Sequence, residues 1–132
     1  MSFLSARLKV LHDFLAGNIR YRCVGTTQIT VGGCTSKCTP GDLARSCVPN
    51  DARTIHICDG FWGLSAAQRA AAIVHEAVHM RLNFAAENSA TANQRGRNPE
   101  CYASLVLDLY GEGVAAALQA QFNTVDPSCP PI

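Results

Sequence analysis

Residues 65–80, Ser-Ala-Ala-Gln-Arg-Ala-Ala-Ala-Ile-Val-His-Glu-Ala-Val-His-Met, constrain the fold more than any other stretch of the chain. The alanine run has high helix propensity, and no Gly or Pro interrupts it before Met80. Ser65 and Gln68 have the spacing of a capping box that opens such a helix. At about 3.6 residues per turn, His75 and His79 stand one turn apart on a single face, with Glu76 beside them. Two neutral imidazoles on one face can share an ion, and zinc suits them because a catalytic zinc site keeps a position open for water. Zn2+ brings the pKa of such a water towards neutrality, and Glu76 is placed to take the proton as general base. Ile73, Val74, Ala77 and Val78 are expected to form the dry wall behind the site. A bland amphipathic helix with two incidental histidines is the alternative. Half of the four histidines fall in this one motif, which favours the metal reading.

Composition sets the frame. A chain of 132 residues is large enough for a core, and reads as one domain spanning 1–132. With 48% hydrophobic and 16% charged residues it is a folding sequence, not a disordered one. A formal net charge of +1 offers no electrostatic case for nucleic acid or for an anionic membrane. No apolar run reaches the roughly 18 residues of a membrane span. The start, Met-Ser-Phe-Leu-Ser-Ala-Arg-Leu-Lys-Val, lacks the pattern of a classical signal peptide. Seven cysteines nevertheless imply disulfides and an oxidising place of work, with at least one thiol left over or paired between chains. The two observations agree if the chain is a domain of a larger secreted protein, or is exported without a cleaved signal.

Along the chain, an apolar stripe of Phe3, Leu4, Leu8, Leu11, Phe14 and Leu15 predicts a first helix over 3–16, stopped by Gly17. His12 lies off the stripe, in solvent. Gln28–Val31 reads as a strand ahead of the turn at Gly32-Gly33. Cys34, Cys38, Cys47 and Cys58 read as disulfide staples in preference to a zinc knuckle, whose two tight cysteine pairs are missing. Thr54–Cys58 is the clearest strand. Ile55 and Ile57 are expected to face the core and His56 the surface. Phe61 and Trp62 read as a packing anchor. Residues 83–97 read as a loop over the site. Asn98-Pro99-Glu100 is a helix start, with an N-cap, a proline at the first position and an acid in the first turn. Leu105, Val106 and Leu109 are expected on the buried face of this helix, which Gly111 ends. A last helix is expected over 112–122, then an extended tail pinned through Cys129. The fold class is therefore α+β: small, mostly helical, with a short sheet or hairpin beside the active-site helix.

A catalytic zinc needs a third protein ligand, and no histidine follows His79. The carboxylates available are Glu87, Glu100, Asp108 and Glu112. Glu100 combines spacing with a rigid platform, so the metal set is read as His75, His79 and Glu100. Asp108 is a candidate acceptor for a ligand N–H. The oxyanion stabiliser stays open among Tyr102, Tyr110, His56 and nearby arginines, with Tyr102 turned away from Glu100 as a packing residue.

His-Glu-x-x-His followed some twenty residues later by Glu resembles the gluzincin arrangement. Residues 54–107 more broadly resemble the deuterolysin and peptidyl-Lys metalloendopeptidase family. The resemblance runs from Ile-His-Ile-Cys58 through the capped helix and Val74-His-Glu76-x-x-His79 to Asn98-Pro-Glu-Cys-Tyr102. That family takes its third ligand from a Gly-Thr-x-x-Asp segment soon after the second histidine, which this chain lacks. Small bacterial toxin domains of zincin type are similar in size. The resemblance implies a zincin-like fold and a secreted metallopeptidase effector acting on a protein or peptide, with an immunity or carrier protein as partner. The alternatives are a cysteine-stapled binding or toxin module with structural zinc or none, and a zinc amidase acting on a cell-wall amide.

Overall fold

The computed structural model describes residues 3–17, 19–24, 29–31, 34–39, 41–47, 51–84 and 97–109. The expected helix over 112–122, the tail with Cys129 and most of the segment after His79 lie outside them.

Helix α1 spans Phe3–Leu15. Leu8, Leu11, Phe14 and Leu15 of its stripe pack against Ala77, Val78 and Tyr102, and His12 stands in solvent. Five strands follow: β1 (Arg20–Cys23), β2 (Ile29–Val31), β3 (Cys34–Ser36), β4 (Ala44–Cys47) and β5 (Asp51–Ile57). β2 and β3 pair antiparallel, with the expected turn at Gly32-Gly33 lying outside the described residues. The other three form a sheet of order β1-β5-β4, with β1 parallel and β4 antiparallel to the central β5.

Alternation along β5 divides the interior. Ile55 and Ile57 join Leu43, Phe61, Leu64, Ala72 and Met80 in the core beneath helix α2 (Ala66–Ala77). The opposite face corrects one expectation. His56 is not on the surface but 0% exposed, because β5 is a central strand with both faces covered. Neither of its ring nitrogens has a hydrogen-bond partner. Past the end of β5, Cys58 packs with Val24 and Cys38, and the two cysteines form a disulfide. Cys47 and Cys101 are also disulfide-bonded, whereas Cys23 is an exposed free thiol.

A short 3-10 turn, Asp59–Gly63, leads into α2. A Cβ on Gly60 would meet the Asp42 carbonyl oxygen at 3.0 Å, so glycine here lets the Asp42–Leu43 segment lie close to the turn. Phe61 is buried, but Trp62 is 53% exposed and stacks edge-on against it, so only the first of the pair anchors the core. The Ser65–Gln68 capping box is complete in both directions. α2 does not end as a plain α-helix. Val78–Leu82 widens into a π-helical turn, closed by Asn83 in the left-handed conformation (φ 53°) that asparagine tolerates.

Helix α3 (Pro99–Leu109) begins as its sequence requires, with the Asn98 side chain accepting the Glu100 N–H at 3.0 Å. It packs on α2 through Ala67, Ala71, Ala103 and Leu107. Leu105 is buried and Val106 partly so, while the side chain of Leu109 lies outside the described set. No helix among the described residues is long and apolar enough to cross a membrane.

Candidate functional site

α2 ends and the π turn begins between the two motif histidines. The helical path still turns both rings to one side, with Nε2 of His75 and Nε2 of His79 3.2 Å apart. Two nitrogens bound to one tetrahedral zinc at their usual bond lengths are separated by about 3.3 Å. The pair therefore already has the spacing of ligands on a shared ion.

Each ring also has a further contact. Oε1 of Glu100, in the first turn of α3, lies 3.1 Å from Nδ1 of His75, a short contact bent off the ring N–H direction. Oε2 of the same carboxylate is buried and has no hydrogen-bond partner. His79 is hydrogen-bonded to the backbone of Phe84, just past the left-handed Asn83. The two environments push the rings in opposite directions. Burial alone would lower the His75 pKa, but the Glu100 hydrogen bond and the charges of Glu76 and Glu100 outweigh it and raise it. Burial and the neighbouring His75 lower that of His79.

Glu76 is 8% exposed, with Oε1 4.0 Å from Nε2 of His75. Burial raises its pKa, against the opposing effects of His75, a hydrogen bond from the Ser46 side chain and the charge of Arg45. A carboxyl raised in this way is better matched to proton transfer near neutral pH. Ser46 and Arg45 come from β4, which the sequence did not single out. They reach Glu76 because β4 pairs with β5, Ser46 opposite Ile55 and Arg45 opposite His56. Nη1 of Arg45 donates to the Lys37 carbonyl at 2.5 Å and lies 3.6 Å from Asp42, which holds the guanidinium at the rim.

Glu76 stands between two recesses. One, of about 160 Å³, is lined by Gly41, Leu43, Ala44, Ala72 and His75 among others. The other, about 450 Å³ and more open, is bounded by Thr39, Arg45, Ser46 and His79. Gly41 has φ 93°, a backbone conformation suited to glycine.

His75, Glu76, His79 and Glu100 are thus brought together. Among the described residues, however, no three His, Cys, Asp or Glu side chains are arranged to hold an ion. Glu87 and Glu112 lie outside the described set, as does the side chain of Asp108. Tyr102 is a buried packing residue whose hydroxyl accepts from Arg7 at 3.2 Å. Of the expected wall, Ala77 and Val78 are buried, while Ile73 and Val74 are partly so. The donor chemistry of the histidine pair suits zinc, with two imidazole nitrogens at ligand spacing. Comparison with protein-family models, curated proteins and solved structures gave no match for this chain.

Proposed function

We propose that this chain is a zinc-dependent hydrolase of peptide bonds, with His75 and His79 holding the ion and Glu76 acting as general base and then general acid. The observation that carries this reading is the 3.2 Å approach of the two Nε2 atoms, with Glu76 buried beside them at the mouth of a recess. Zinc, when bound, supplies Lewis acidity towards a substrate carbonyl and a water.

The chain's own groups supply the rest. Each Nε2 can give its lone pair to an ion only when unprotonated, and the Glu100 carboxylate beside Nδ1 of His75 favours that tautomer in this ring. Glu76, its carboxylate held by Ser46, takes a proton from water and delivers it to the leaving amine. The recess along β4 is the approach for a peptide or protein substrate. Disulfides at Cys38–Cys58, Cys47 and Cys101 fit work in an oxidising compartment, and hence a secreted effector or toxin domain.

The test is zinc content and peptidase activity, measured together on wild type and Glu76→Gln. Stoichiometric zinc in both, with activity lower by about 10²–10⁴-fold in the variant, supports the reading. A folded, oxidised wild type that binds no zinc overturns it.

A further inference from the structure

Glu100 comes closer to His75 than Glu76 does, 3.1 Å against 4.0 Å, yet it meets His75 at Nδ1, the ring nitrogen that does not face His79. The two nitrogens of an imidazole aim in widely different directions. A carboxylate lying against Nδ1 is therefore placed to hold the ring, not to share what the ring binds at Nε2. We infer that Glu100 is a positioning residue: its carboxylate, 3.1 Å from Nδ1 of His75, favours the tautomer with the proton on Nδ1 and so leaves Nε2 free towards His79. The inference rests on the metal reading above and assigns the third protein ligand to a residue other than Glu100.

Three observations carry it. The carboxylate is delivered rigidly, since Asn98 caps the Glu100 N–H and Pro99 opens the helix directly before it. Its other oxygen is buried without a hydrogen-bond partner, which leaves the 3.1 Å approach to His75 as the side-chain contact of this carboxylate. His79, the other ring of the pair, is likewise tied down, by a hydrogen bond to the backbone of Phe84. A carboxylate beside the ring nitrogen of a histidine that faces away from the shared site is a pattern by which proteins set tautomer and ring orientation at a metal.

The experiment combines zinc affinity, by chelator competition, with nitrogen-edited NMR of the histidine rings in wild type, Glu100→Gln and Glu100→Ala. Gln keeps an acceptor oxygen and the helix start, so it separates positioning from folding. The expected result is stoichiometric zinc in all three, with affinity reduced about 10–100-fold in Glu100→Ala and less in Glu100→Gln. The His75 Nδ1–H signal should be present in wild type and exposed to exchange in Glu100→Ala. Loss of stoichiometric zinc from both variants makes Glu100 a direct ligand and overturns the inference. Unchanged affinity with an unchanged His75 signal overturns it equally. If the wild type binds no zinc, the metal reading fails by itself. The metal-free spectrum then decides the orientation: an Nδ1–H signal dependent on Glu100 supports it, and its absence in wild type overturns it.

Discussion

Ala71 of α2 and Ala103 of α3 are both 0% exposed and belong to one packed cluster. Small side chains at a helix–helix contact let the two backbones come close, and that spacing governs how far Glu100 reaches towards His75.

Ala71→Leu is therefore expected to act at a distance. Overpacking a close contact costs about 1–3 kcal/mol and separates the helices. Urea unfolding should show that loss, and chelator competition should show weaker zinc binding in a variant that retains both histidines. Unchanged zinc affinity with reduced stability would detach the helix spacing from the site.

His56 makes the fold sensitive to mild acid. Its pKa is lowered first by burial, and further by Arg22 and Arg45, with Asp51 opposing. Below the ordinary value of 6.5 the unfolded chain binds a proton that the folded chain does not. Stability is thus complete above about pH 6.5 and falls on acidification until the lowered folded value is reached. Asp51, held low by hydrogen bonds from Arg53 and Thr54 despite the contrary effect of burial, loses its contribution only below its ordinary value of 3.8. Denaturant midpoints between pH 7.5 and 5 should decline in wild type and flatten in His56→Phe. Parallel curves for the two proteins would count against this account.

The Cys38–Cys58 bond closes a loop with a sequence separation of 20. Such a loop restricts the unfolded chain by about 3 kcal/mol on the entropic account. Replacing both cysteines by Ala should lower stability by about that amount. It should also loosen the segment that carries Thr39, Asp42 and Arg45 at the rim of the recess. Hydrogen exchange at residues 41–47 would register the second effect, and protection equal to wild type would refute it.

Local chemistry made much of this molecule legible in its sequence. Ser65 with Gln68, and Asn98 with Pro99, are devices complete within a few residues, so both helix starts could be read without tertiary information. The convergence of His75 and His79 needed only the helical period. What could not be read depends on pairing. Ser46 reaches Glu76 through the register of β4 on β5, and the same central position of β5 buries His56. The π turn at Val78–Leu82 has no plain sequence signal, since its residues also suit an α-helix. Which nitrogen of His75 meets Glu100 is set by the packing of α3 on α2, beyond the reach of motif spacing.

The parallel pairing of β1 with β5 imposes an order on synthesis. A parallel pair cannot be joined by a tight turn, and here β2, β3 and β4 are made between the two partners. β1 leaves the ribosome first and has to wait, unpaired, until β5 follows. It waits with Arg20 and Arg22 among its exposed side chains, and charges on an open strand discourage pairing with a neighbouring chain. Charge on that strand thus disfavours edge-to-edge pairing over the interval before its central partner is made.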